Sequence, residues 1–275
     1  RALADMSQDI DRVLHGLDSQ TIAACDEGEL AILSSEIRKM TVRLRQAADS
    51  QHRERMQLAD AMADISHQLR TPLTAINLTL SMLGREGLPE QERRALLQEL
   101  RRLVTRMEWL VETLLKMSRI DAGAVSFREE SCRAADIIQR AVQPLAVPME
   151  LRGITLETAA GEECFTGDAA WSAEALGNVL KNCMEHAASY IRVSARETAL
   201  FTEITVQDDG PGFRAEDLPR LFERFYRGKD AAPASVGIGL ALTRMVLSAQ
   251  NGTIRADNAC PGGALFTLRW YRSTV

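Results

Sequence analysis

A long helical hairpin that pairs with a second copy as a dimeric four-helix bundle, joined to an α/β module, is the fold class this sequence predicts. Three observations carry it. Apolar residues recur at helical spacing up to Ile120, a Gly87-Leu88-Pro89 turn divides that stretch, and from Val125 onward β-rich runs alternate with helices. The 275 residues suffice for two or three modules, and 45% hydrophobic with 26% charged residues is an ordinary globular composition.

Residues 1–48 read as a helical segment in two pieces. Ala2 to Leu14 carries Leu3, Met6, Ile10, Val13 and Leu14; Gly16 and Asp18-Ser19-Gln20-Thr21 break it; Asp26-Glu27-Gly28-Glu29-Leu30 opens a second helix with Leu33, Ile37, Met40 and Leu44. Residues 49–123 form the hairpin. Its first helix runs from Gln46 to about Gly84, and its second reaches about Ile120 with a heptad seam at Leu96, Leu100, Leu103, Met107, Leu110, Leu114 and Met117. Each helix buries one face in the hairpin, and a second face needs a partner, either an identical hairpin or the rest of the chain.

Residues 124–275 form the α/β module. The expected strands are Val125 to Phe127, Ile154 to Thr158, Tyr190 to Arg196, Phe201 to Gln207, Gly252 to Asp257 and Ala264 to Tyr271. The expected helices are Cys132 to Gln143, Ala169 to Ala187 and Gly239 to Gln250.

Composition narrows the function. Lys+Arg 33 against Asp+Glu 38 leaves a net charge of -5 with no basic stripe, which argues against a nucleic-acid partner. Cys25, Cys132, Cys164, Cys183 and Cys260 are scattered without metal-ligand spacing and read as free thiols of a reducing compartment. No apolar run is long enough to span a bilayer, and no signal peptide is present. The chain opens on Arg1 rather than Met, so any membrane segment is expected upstream of it.

His67 is the first residue with chemical content. The seam Leu58, Met62, Ile65 and Leu69 puts it on the opposite, wet face of its helix, which excludes a core role. Pro72 lacks an N–H and crowds the carbonyl of Gln68, so a kink is expected beside the histidine. The seam slips there and resumes at Leu73, Ile76, Leu80 and Leu83. An exposed imidazole beside a kink reads as a nucleophile that another part must reach.

Four clusters in the α/β module point to a nucleotide. Asn178 and Asn182 project from one helix face, and an amide oxygen suits Mg²⁺ without cancelling phosphate charge. Asp208-Asp209-Gly210-Pro211-Gly212 ends a strand; Asp208 can accept from the exocyclic amine of adenine, although such a run is also an ordinary turn. Phe222-Glu223-Arg224-Phe225-Tyr226-Arg227 leads to Gly228, Lys229 and a polar loop, with Arg227 and Lys229 as charges for a triphosphate. Val236-Gly237-Ile238-Gly239-Leu240 then opens a helix, and backbone N–H groups there form an anion site.

In this order and spacing the four clusters resemble the catalytic ATP-binding domain of sensor histidine kinases, within the ATPase superfamily shared with Hsp90, type II topoisomerases and MutL. Ser66-His67-Gln68-Leu69-Arg70-Thr71-Pro72-Leu73 resembles the phospho-acceptor box of the same family, and Ser118 to Gly123 the exit of its dimerisation domain. Residues 1–48 resemble a HAMP module, and Asn178 to His186 resembles vancomycin-resistance-type sensor kinases. The resemblance implies a two-layer α/β sandwich of the Bergerat type and a homodimer. Its ligands would be ATP and Mg²⁺, with Asn182 on the metal, Asn178 on the phosphate path, and Asp208 on adenine. Gly210, Gly212, Tyr226, Arg227, Lys229, Gly237, Ile238, Gly239 and Leu240 would shape the pocket and lid. It further implies in-line attack by His67 on the γ-phosphate, then transfer to an aspartate of a response regulator receiver domain, on the cytoplasmic side of a membrane sensor.

Departures from the family pattern matter. Gln68 stands where an acid is usual, and cannot take the imidazole proton. Glu185 replaces a usual cation near the phosphates, either contacting Mg²⁺ or facing solvent, and Ser235 replaces the first lid glycine. Thr71, one turn after His67, either orients water for dephosphorylating the regulator or bonds the helix backbone. Gln68 and Thr71 together leave a kinase-weak, phosphatase-biased member as the alternative.

Overall fold

The computed structural model describes residues 28–85, 87–228, 235–260 and 262–272. The helix expected over Ala2 to Leu14 lies outside them. Helix α1 spans Gly28–Leu83, so the two helices expected from Asp26 and Gln46 are one. The reason is local: neither Gly nor Pro occurs between Glu29 and Thr71, and nothing interrupts the hydrogen-bond ladder. Pro72 lies inside α1. Gly87, at φ 78, turns the chain into α2 (Glu90–Asp121), whose first turn carries Glu90 and Glu92 toward the positive end of the helix.

The α2 seam divides by depth. Leu103, Leu110 and Met117 are buried, whereas Leu97, Val104 and Val111 form a second row at heptad spacing that remains open to solvent. On α1, Leu73 and Leu80 of the expected seam are likewise exposed in the single chain.

The α/β module contains β1 (Glu130–Arg133), α3 (Ala134–Val142), α4 (Ala146–Leu151), β2 (Thr155–Ala159), β3 (Cys164–Gly167) and α5 (Ala169–His186). It continues with β4 (Tyr190–Glu197), β5 (Phe201–Asp208), α6 (Gly239–Ala249), β6 (Gly252–Asn258) and β7 (Ala264–Tyr271). Five strands form one sheet in the order β2-β4-β5-β7-β6, parallel only between β2 and β4. Strands β1 and β3 form a separate antiparallel pair.

Strand alternation sets the core. Along β7, Ala264, Phe266, Leu268 and Trp270 point inward, and along β5 Ile204 and Val206 do the same. They meet Leu176, Val179 and Leu180 of α5 and Leu242, Val246 and Leu247 of α6. Ile204, Val206, Phe266 and Leu268 are fully buried, a gain of about 1.5–3 kcal/mol each. Asp208 is next in the inward row of β5, which delivers a carboxylate to the end of the core.

Two expectations fail near the module's start. Val125 to Phe127 is not a strand: Phe127 packs its ring on Trp171 at 5.5 Å, and the ladder forms later, over Glu130–Arg133. The expected helix from Cys132 begins at Ala134 for the same reason, because Cys132 pairs with Phe165 of β3. Strand β3 is too short to show a period.

Candidate functional site

A cavity of about 430 Å³ opens between α5, the end of β5 and the start of α6. Its polar groups come from elements already described. Asn178, Lys181, Asn182 and Glu185 line it from one face of α5, spaced three and four apart as a helix requires. The start of that helix is fixed by Asp168, whose carboxylate accepts from the N–H groups of Ala170 and Trp171.

Asp208 is 1% exposed. Its Oδ1 accepts from the N–H of Gly210 at 2.9 Å and of Ala264 at 3.0 Å. Its Oδ2 is buried without a partner, and so is the Asn178 amide Nδ2. A buried carboxylate oxygen and a buried amide N–H₂ left unsatisfied are costly unless a ligand completes them. The first matches the exocyclic amine of adenine and the second a phosphate oxygen, so the residues present fit ATP. Cys183, fully buried beside Asp208, has its thiol pushed well up, by burial first and then by the Asp208 charge.

The glycines act as space. A Cβ on Gly210 would run into the His186 carbonyl, and on Gly212 (φ 73) it would meet Asn258 Oδ1 at 2.5 Å. Asn258 in turn clamps Phe213, accepting from its N–H at 2.6 Å and donating to its carbonyl at 2.8 Å. Asp209 points away from the cavity and accepts from the N–H groups of Ala188, Ser189 and Tyr190 and from the Ser189 hydroxyl. Burial opposes its charge, but these bonds outweigh it and hold the carboxyl well below the usual range.

At the opposite wall, Phe225 (φ 61) donates its N–H to the Gly237 carbonyl, and Gly237 (φ 76) sits so close to the Tyr226 carbonyl that no side chain fits. The Tyr226 hydroxyl donates to Asp217 Oδ1 at 2.5 Å under the Arg220 guanidinium. That hydrogen bond, with burial and the Asp217 charge, raises the phenol pKa.

Of the residues expected to bind nucleotide, Asn178, Asn182, Asp208, Gly212, Tyr226, Arg227, Gly237, Gly239 and Leu240 line this one cavity. Two do not. Gly210 lies behind Asp208 as its hydrogen-bond donor, and Ile238, fully buried, belongs to the core. Lys229 lies outside the described residues. Glu185 lines the cavity and is half-buried.

His67, Gln68 and Thr71 lie on α1 and are not in the cavity wall. His67 is exposed and Gln68 half-buried. The Thr71 hydroxyl donates to the His67 carbonyl at 3.3 Å, the backbone bond that was one of its two readings. Sequence reasoning missed Trp109, Lys181, Asp217, Asn258 and Ala264. Lys181 alone had a local signal, its place on the face shared by Asn178 and Asn182.

Comparison with known proteins gives concordant results. Residues 167–274 match the family described as histidine kinase-, DNA gyrase B-, and HSP90-like ATPase. Residues 57–123 match the His Kinase A (phospho-acceptor) domain. The chain is 33% identical over 225 residues to the signal transduction histidine-protein kinase AfsQ2 of Streptomyces coelicolor, covering 76% of this chain and 41% of that protein. It is 31% identical over 275 residues to the signal transduction histidine-protein kinase/phosphatase MprB of Mycolicibacterium smegmatis, covering 96% and 53%. The chain thus spans about half the length of such relatives. The Acinetobacter baumannii histidine kinase AdeS shares the fold, with a TM-score of 0.62 at 21% identity over 76% of this chain and 98% of that one. Full-length ShkA in complex with AMPPNP superposes with a TM-score of 0.57 at 19% identity, over 78% and 46%.

Proposed function

The chain belongs to the sensor histidine kinases, and from that premise we propose that it transfers the γ-phosphoryl group of ATP to His67 and passes it to an aspartate of a response regulator receiver domain. The observation that carries this reading is the pair of orphaned buried polar groups, Asp208 Oδ2 and Asn178 Nδ2, on two residues that line one cavity, while an exposed histidine stands on the hairpin.

Asp208 selects adenine, because its free oxygen accepts from an amine and its other oxygen is held by two backbone N–H groups. Asn178 and Lys181 meet phosphate oxygens, and Asn182 offers its amide oxygen to Mg²⁺. The metal, when bound, supplies charge neutralisation on the β- and γ-phosphates. A neutral His67 nitrogen attacks the γ-phosphorus, the bond to the bridging oxygen breaks, and ADP leaves. Gln68 can orient the ring by a hydrogen bond but leaves the displaced proton to solvent.

Two relatives' names bear on the alternative. AfsQ2 is a kinase and MprB a kinase/phosphatase, which favours a working kinase with phosphatase activity over a kinase-weak member. The domain boundaries we propose are 1–48, 49–123 and 124–275. Dimerisation through the hairpin accounts for the open rows Leu97, Val104 and Val111 on α2 and Leu73 and Leu80 on α1. No helix among the described residues is long and apolar enough to cross a membrane. The use of ATP supports a cytoplasmic working site.

Transfer of labelled γ-phosphate from Mg-ATP tests the proposal beside a His67→Ala control. Acid-labile, base-stable label that disappears in the control is the expected result. Label that persists in His67→Ala, or no label with ATP bound, overturns it.

A further inference from the structure

Trp109 belongs to α2 of the hairpin, yet it lines the nucleotide cavity together with Asn178 and Asn182. The Lys181 ammonium lies over its ring, 4.6 Å from the centroid. Lys181 shares its helix face with both asparagines, so the indole holds a cation beside the phosphate path. Around this contact α2 is seated on the ATPase module. Leu110 and Met117 enter that module's core, Lys116 pairs with Glu174 at 2.7 Å, and Arg224 pairs with Asp121 at 2.6 Å.

Charge points the same way. Arg106, one turn before Trp109, has its pKa lowered by burial and then by the like charges of Arg102 and Arg227, and Arg227 lines the cavity. A cation of α2 is thus close enough to feel Arg227 of the cavity wall, a second point at which the hairpin reaches the site.

We propose that Trp109 is a residue of the nucleotide site contributed by the hairpin, so that ATP and the seating of the ATPase module on α2 stabilise each other. The inference rests on the cavity being the ATP site. By linkage, nucleotide tightens the seating by the same factor by which seating tightens the nucleotide, so a change that loosens the seating weakens the nucleotide even from outside the cavity.

The experiment is calorimetric titration of Mg-AMPPNP into the whole chain and four variants. Trp109→Ala is expected to weaken binding about three- to thirtyfold, with Trp109→Phe between it and the parent. Asp121→Arg touches nothing in the cavity and should weaken binding about three- to tenfold, and the swap Asp121→Arg/Arg224→Asp should restore it. Tighter binding by Trp109→Ala would make the indole a plug and overturn the inference. So would an Asp121→Arg variant that binds as well as the parent. A parent chain that binds no AMPPNP would instead overturn the ATP reading beneath it.

Discussion

His67 and Asp208 stand at the two ends of the proposed reaction, and they are held in opposite ways. His67 is exposed on α1, where the Thr71 hydroxyl donates to its backbone carbonyl. Asp208 is buried at the end of β5, with one oxygen fixed by Gly210 and Ala264 and the other left without a hydrogen-bond partner. In the proposed reaction His67 must be met by the ATPase module and by a separate regulator, so a rigid pocket around it would exclude its partners. In the proposed reaction Asp208 meets one small molecule, and prior fixation of its geometry would lower the entropy lost on binding.

The largest expected effect sharpens that contrast on the hairpin. Gln68→Glu should speed autophosphorylation by roughly ten- to a thousandfold while leaving ATP affinity unchanged, as read from initial rates and titration side by side. Equal rates would mean that proton acceptance does not limit His67. Asp208→Asn should do the reverse, weakening ATP about a hundredfold while the Gly210 and Ala264 bonds keep the loop in place. Calorimetry with ATP and GTP checks it, and retained adenine preference would remove Asp208 from the base site.

Gly237→Ala places a Cβ against the Tyr226 carbonyl at a left-handed φ of 76, and should lower thermal stability by about 1–3 kcal/mol along with ATP binding. An unaffected melting temperature would show that the lid gives way easily. The smallest effect concerns Asp209. Its carboxyl is held below the usual range in the folded state, so its contribution is full above the unfolded value near about 3.9 and fades as pH falls through and below it. Between about pH 6 and about pH 3 the parent should lose more stability than Asp209→Asn, as followed by melting curves. Parallel curves would remove the Ala188–Tyr190 anchor as a source of acid sensitivity.

The hairpin was more legible than the module's entrance. Heptad seams repeat over many turns, so α2 shows in the sequence, whereas β1 and β3 are four residues each and carry no period. The helices expected from Asp26 and from Gln46 are one continuous α1, and no breaker residue stands between them. Within the site, Asn178, Asn182, Asp208 and Gly237 were legible because each sits in a short run whose spacing carries chemistry.

By itself the sequence determined the two modules and the wet face of His67, since both follow from helical and strand periods acting over a few residues. Only the tertiary structure decided what surrounds them. Ala264 reaches Asp208 because β7 pairs with β5, Asn258 clamps Phe213 across the end of the sheet, and Trp109 enters the cavity because α2 is seated on α5 and α6. Those partners lie far apart along the chain, and it is packing and strand pairing, not local pattern, that selects which distant residues meet.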